Sequence, residues 1–232
     1  MYGLFTLVER GAVALIKEHV YLADLDRCRK VSEIPFEAYL LKEEKEQLDQ
    51  ITIPRSRNRA MLRRSLTRMI ISSFLSCSPD TLRFCRNSYG KPYVLEPVTD
   101  LTFNLSHSEN YLVLIADKNR EVGIDIETAH SLQKRKYKNL EGIYSGKEFA
   151  SYERLLPGEK YEMFCRTWVM KEAITKALSF GLTADLGEIS LPVEEASSDA
   201  IQSFECYGKV LKIQWIKRED YLIAIAYGEE II

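Results

Sequence analysis

The chain has 232 residues, 46% of them hydrophobic and 28% charged, and its 32 Lys and Arg against 34 Asp and Glu leave a formal net charge of −2. These figures suit one compact body or two intimately packed lobes with a sizeable core, and they exclude a protein that coats nucleic acid by bulk charge. No run of about 18 apolar residues offers a membrane span, and Cys28, Cys77, Cys85, Cys165 and Cys206, odd in number and without a CxxC pair, argue for reduced thiols in a cytoplasmic protein.

Taken in chain order, Tyr2 to Val8 reads as a first strand, and with no basic segment before a small-residue cleavage site it is not expected to be a secretory signal. Val20 to Leu25 is a second strand. Phe36 to Leu48 and Arg57 to Leu75 carry apolar residues at spacings of three and four, which predicts two helices separated near Pro54. Short strands follow at Thr81 to Cys85 and Pro92 to Leu95, joined by the turn residues Asn87-Ser88-Tyr89-Gly90. Leu101 to Leu105, Tyr111 to Ala116 and Glu121 to Ile126 form the central run of strands. Ser131 to Asn139 carries Lys134, Arg135, Lys136 and Lys138 and reads as a mobile, solvated segment or a partner surface. One helix opens at Ser145 and another spans Tyr161 to Ser179, with Pro157-Gly158 breaking the chain between them. Ile189 to Leu191, Ile201 to Tyr207, Val210 to Ile216 and Tyr221 to Tyr227 close the chain as strands. Antiparallel strands mixed with helices in both halves predict an α+β fold of two lobes.

Four segments carry chemistry. Val122-Gly123-Ile124-Asp125-Ile126-Glu127 sets two carboxylates two residues apart on an otherwise apolar strand, so both face one side with their roots roughly 7 Å apart. Such a pair repels unless a cation sits between them; a hard divalent ion would answer, and a solvated strand end is the plainer alternative. Thr167 to Ala177 places Glu172 and Lys176 on one helical face with Trp168 a turn earlier, which is either a surface ion pair or an acidic ligand beside a phosphate-binding lysine. Phe103-Asn104-Leu105-Ser106-His107-Ser108 ends a strand in polar groups. Adjacent Ser106 and His107 point to opposite faces, so they do not form a nucleophile–base pair; they suit phosphate oxygens or a locally satisfied turn. In Tyr89-Gly90-Lys91-Pro92 a turn holds Lys91 outward, toward an anion or toward solvent. A fifth feature, six arginines and no acid between Arg55 and Arg68, could instead grip nucleic-acid phosphates.

These four segments, in this order, resemble the surfactin-type (Sfp-type) 4′-phosphopantetheinyl transferases over about half the chain, with a looser likeness in the arginine-rich helix at Arg59 and Arg68. The resemblance implies two similar α/β lobes in one chain, a pseudo-dimer divided as 1–118 and 119–232, with the active site in the cleft between them. It implies transfer of the phosphopantetheine arm of coenzyme A to a serine of an apo acyl or peptidyl carrier protein. Carried over by motif, Asp125, Glu127 and Glu172 would hold magnesium, or manganese, and Lys176 the diphosphate. Ser106 and His107 would lie at the 3′-phosphate, and Lys91 and Arg59 at the nucleotide end. Glu172, Lys176 and Glu148 would be catalytic; Glu148, a candidate general base, also completes a capping box with Ser145. The carrier would dock over Ser131 to Lys147 on a monomer, with no membrane and no nucleic acid. Two alternatives use the same residues: a magnesium phosphohydrolase of coenzyme A or a nucleotide, and an RNA- or DNA-binding module built on Arg55 to Arg68. Against the family pattern, Ala60 stands where relatives offer a hydroxyl, and Ala177-Leu178-Ser179-Phe180-Gly181-Leu182 replaces a Gly-x-Gly.

Overall fold

The structure, a computed structural model, describes residues 2–31, 33–134, 142–179, 184–191 and 198–230. Its frame is two antiparallel four-stranded sheets. The first holds β1 (Val13–Lys17), β2 (Val20–Asp24), β5 (Thr102–Ser108) and β6 (Tyr111–Asp117) in the order β1-β2-β6-β5; the second holds β7 (Arg120–Thr128), β8 (Ile201–Cys206), β9 (Lys209–Lys217) and β10 (Tyr221–Glu230) in the order β7-β10-β9-β8. A separate hairpin pairs β3 (Arg83–Arg86) with β4 (Pro92–Glu96).

The side-chain period of two explains the layering. On β6, Leu112, Leu114 and Ala116 face the core shared with α1 (Tyr2–Glu9), α2 (Leu25–Lys30) and α4 (Pro54–Leu75), while Val113 and Ile115 face the other sheet. On β10, Ala224 and Ala226 pack under α7 (Pro157–Ala177), whereas Ile223 and Ile225 join Val122, Ile124 and Ile126 of β7 in the layer between the sheets. The result is helix, sheet, sheet, helix, which is why these strands are apolar on both faces. The α+β expectation with two lobes holds.

Several sequence expectations need correction. Tyr2 to Val8 is helical: Leu4 and Leu7, three apart, are buried while Phe5 and Val8 face out, and a strand would have set the two leucines on opposite faces. Phe36 to Leu48 is not one helix, but a 3₁₀ turn at Phe36–Tyr39 followed by α3 (Lys42–Asp49). Phe36 fills the main core and Leu40 a separate cluster, which residues four apart on one straight helix could not do. The helix breaks expected near Pro54 and Pro157 are present, after Asp49 and after Glu153, but the following helices begin earlier than expected, each with the proline at its first position, where its missing N–H costs nothing. Ile189 to Leu191 is not a strand: Ile189 and Leu191 are buried, and the Leu191 N–H donates to the Glu148 carboxylate instead of a neighbouring strand. The basic segment begins as α5 (Ala129–Lys134), with Leu132 buried; residues 135–141, and Phe180 to Leu182, lie outside the described residues. No described helix is long and apolar enough to cross a membrane.

The closest approach between layers lies where β7 runs under α7. A Cβ added at Gly123 would stand 2.0 Å from the Ala173 carbonyl oxygen and 2.4 Å from the Ala177 nitrogen, so only glycine lets the helix lie this deep. Gly123→Ala is expected to lower stability by at least the roughly 1–3 kcal/mol of an overpacked core substitution. Thermal unfolding checks this, and an unchanged midpoint would show that helix and strand part freely.

Candidate active site

Strands β5 and β7 face each other across the junction of the two sheets, and their polar residues step together in twos. Asn104 Oδ1 accepts the Ile124 N–H at 3.0 Å, Ser106 Oγ donates to Asp125 Oδ1 at 2.7 Å, and Ser108 Oγ donates to Glu127 Oε2 at 2.9 Å. Asp125 and Glu127 share one face, as their spacing predicts, and both are buried, at 4% and 6% exposure. From α7, Lys176 Nζ donates to Asp125 Oδ1 at 2.6 Å and to Ser106 Oγ at 3.1 Å. Burial pushes the Asp125 carboxyl upward; the Lys176 ammonium and the Ser106 hydroxyl oppose that, and the Glu127 charge adds to it. The cation that two buried acids demand is therefore, on one oxygen of Asp125, a lysine.

Asp125 Oδ2 is buried and makes no hydrogen bond. An orphaned carboxylate oxygen beside a second carboxylate is a hard-oxygen donor set of the kind that suits magnesium. Among the described residues no three His, Cys, Asp or Glu side chains are grouped tightly enough to hold an ion. The expected set of Asp125, Glu127 and Glu172 is thus not gathered as it stands; Glu172 lines the wall of the cleft one turn before Lys176.

That cleft, about 1070 Å³, runs between four walls: α7 with Glu172, Thr175 and Lys176, β5 with Asn104 and His107, the β3–β4 hairpin with Arg86 and Lys91, and α4 with Arg63, Arg64 and Thr67. Among its charged lining residues the cations Arg63, Arg64, Arg86, Lys91 and Lys176 outnumber the acids Glu44 and Glu172. Lys91 Nζ donates to Glu121 Oε2 at 2.6 Å and to the Ala177 carbonyl at 3.4 Å, tying the hairpin to α7. His107 points away from Ser106 into the cleft, as adjacent strand residues must. Partial burial, then the Arg63 and Lys176 charges, push its imidazole down to about 4; its ring stays partly open to the cleft, which tempers the effect of burial.

Other expected residues sit elsewhere. Arg59 is outside the lining, its guanidinium donating to the side chain of Asn110, which in turn donates to Asp26 at 2.5 Å. Arg68 is fully buried, donating to Glu44 at 2.8 Å and to the Pro79 and Leu82 carbonyls. With Arg57 on Asp49 and Arg64 on the Glu44 carbonyl, the arginine helix is largely engaged with its own protein. Trp168 packs against Phe164, ring centroids 6.3 Å apart. Glu148, at the start of α6 (Gly146–Glu153), is also outside the lining: Oε2 accepts the Ser145 N–H and Lys171 Nζ, both at 2.6 Å, and Oε1 accepts the Leu191 N–H at 3.0 Å. Both oxygens are committed, so the geometry favours the capping box over the general base. Arg63 was missed from sequence, because six arginines on one helix do not announce which of them faces a cleft.

Residues 121–226 match a family profile described as the 4′-phosphopantetheinyl transferase superfamily, and residues 32–119 match one described as 4′-phosphopantetheinyl transferase, N-terminal. Among curated relatives, the chain is similar to the rat L-aminoadipate-semialdehyde dehydrogenase-phosphopantetheinyl transferase, 30% identical over 70% of this chain and 56% of that protein. It is also similar to a phosphopantetheinyl transferase of Thraustochytrium sp., 29% identical over 71% of this chain and 61% of that one. The 4′-phosphopantetheinyl transferase HetI of Nostoc sp. is 29% identical over 72% of this chain and 70% of its own length. The chain spans little more than half the length of the first two.

Two expectations follow from the site. Glu148→Ala strands Lys171 in the core and is expected to cost roughly 3–5 kcal/mol, read by denaturant unfolding; near-wild-type stability would argue that Glu148 is free for chemistry. His107, followed through its ring protons, is expected to stay neutral down to acid pH and titrate at about 4. Since its folded value is depressed, its contribution to stability is present above the unfolded value of 6.5 and is lost as pH falls toward 4. A midpoint near 6.5 would show that neither burial nor the Arg63 and Lys176 charges hold it down.

Proposed function

We propose that the chain, matched over residues 32–119 and 121–226 by 4′-phosphopantetheinyl transferase profiles, moves the phosphopantetheine arm of coenzyme A onto a serine of an apo acyl or peptidyl carrier protein, as a surfactin-type enzyme. The observation that carries this reading is a large cleft lined by Arg63, Arg64, Arg86, Lys91 and Lys176, the last of which donates to the buried carboxylate of Asp125. Coenzyme A is a polyanion with a diphosphate and a separate phosphate, and such a cleft matches that charge distribution. The division at residues 118 and 119 is supported by the turn between β6 and β7, and action as a monomer by the completeness of the cleft within one chain.

In this proposal Lys176 holds the diphosphate from α7, and Lys91, fixed by Glu121, braces the opposite wall. Asp125 through Oδ2, Glu127 and Glu172 would hold magnesium, which when bound neutralises charge on the diphosphate oxygens. The carrier serine oxygen forms a bond to the β-phosphorus as the bond to the bridging oxygen breaks, and adenosine 3′,5′-bisphosphate leaves with the electron pair. The serine proton passes to Glu172, directly or through water. Most of the chain's work is positioning and neutralising.

The test is the intact mass of an apo carrier protein incubated with this protein, coenzyme A and magnesium. Gain of one phosphopantetheine on the carrier is expected, lost with chelator and with Asp125→Ala. Turnover of coenzyme A without modification of any carrier would replace the transferase with a phosphohydrolase.

A further inference from the structure

We propose that Ser108 is a positioning residue that sets which divalent ion the two buried acids accept, magnesium or manganese over calcium, by committing one oxygen of Glu127. The inference rests on the metal-dependent transferase reading above. Strands β5 and β7 belong to different sheets: β5 takes its backbone partner from β6, and β7 from β10. Along their junction, side chains of β5 stand in for a backbone ladder. Asn104 Oδ1 accepts the Ile124 N–H at 3.0 Å, and Ser108 Oγ accepts the Thr128 N–H at 3.2 Å. Ser108 is buried, so its hydroxyl turns to protein partners.

The protons in this network have one consistent arrangement. A serine hydroxyl carries a single hydrogen, and that of Ser108 goes to Glu127 Oε2 at 2.9 Å. In the 3.4 Å contact between Ser108 Oγ and Thr128 Oγ1 the donor is therefore Thr128. Thr128 Oγ1 in turn accepts the Ser131 N–H at 3.1 Å, in the first turn of α5. The chain from Ser131 through Thr128 and Ser108 runs one way and ends on Oε2, with the carboxylate as acceptor. Two residues back on β5 the same device recurs: Ser106 donates to Asp125 Oδ1, which also accepts Lys176. Each acid thus has one oxygen tied down, and a carboxylate so held offers a metal at most one oxygen. Calcium takes roughly six to eight oxygens and readily both of one carboxylate, whereas magnesium demands compact octahedral geometry and uses one or two carboxylates among retained waters. Manganese shares the octahedral oxygen environment. Ser108 acts through Glu127, by denying calcium the second oxygen.

The experiment reads metal binding directly. Free manganese is counted by its electron paramagnetic resonance as it is titrated into the protein with coenzyme A present, and magnesium or calcium is then added to displace it. In the wild-type protein, magnesium is expected to displace manganese at lower concentration than calcium. In Ser108→Ala, and in the near-isosteric Ser108→Cys, whose thiol is a weak donor, the ratio of calcium to magnesium affinity is expected to rise about 10-fold or more, the scale on which groups behind a metal ligand act. Ser108→Thr, which keeps the hydroxyl, should restore the ratio. Thr128→Val is the control for a purely structural effect: it removes the neighbouring hydroxyl and the Ser131 contact, lowering the thermal midpoint, but leaves Ser108 on Glu127, so the ratio should hold. A wild-type site that takes calcium as readily as magnesium, an unchanged ratio in Ser108→Cys, or an equal shift in Thr128→Val overturns the assignment and leaves the transferase intact. A wild-type protein that takes up no manganese with coenzyme A present removes the metal-dependent transferase reading and this assignment with it.

Discussion

Everything at the centre of this molecule depends on how deeply α7 lies on β7. Gly123 removes the one side chain that would hold them apart, and the residues two and four further along β7, Asp125 and Glu127, point to the side on which the helix lies. Ala173 and Ala177, the helix residues in contact there, bracket Lys176. The backbone contact and the ion pair are thus one feature: the strand's period of two and the helix's rise bring a lysine to a carboxylate because nothing larger than hydrogen stands between the backbones. Had the strand carried alanine at 123, the Lys176 ammonium could not sit 2.6 Å from Asp125 without the helix bending.

Burying two carboxylates costs free energy, and the fold offsets it unevenly. Glu127 receives the Ser108 hydroxyl; Asp125 receives Ser106 and Lys176 on one oxygen and nothing on the other. A protein shaped for stability alone would have placed a hydrocarbon here, since a paired buried charge seldom improves on one. Leaving an oxygen bare instead keeps the site short of a positive charge.

The contrast with Glu148 and Lys171 is instructive. They are as deeply buried, but every polar atom of the pair is used: Lys171 donates to Glu148 and to the Ile143 and Leu186 carbonyls, while Glu148 accepts two backbone N–H groups besides. Full satisfaction anchors a helix start against α7; partial satisfaction leaves chemistry to be done. Sequence could not separate the two pairs. Acid and base at helical spacing, as in Glu172 and Lys176, can be read from a chain, whereas Glu148 and Lys171 meet across 23 residues and only coordinates reveal that they cancel.

What could be read from sequence was what periodicity fixes. The alternation on β7 told that Asp125 and Glu127 share a face, that on β5 told that Ser106 and His107 do not, and both hold. What could not be read depends on where a helix finds its neighbours. Tyr2 to Val8 has strand-like composition, but a short apolar run adopts whichever period buries its leucines, and here Leu4 and Leu7 meet the core as a helix would present them. The arginine helix fails for the same reason. Its six arginines are alike in sequence, and tertiary partners sort them into a buried strut at Arg68, a clamp on Asn110 at Arg59 and an unopposed charge at Arg63.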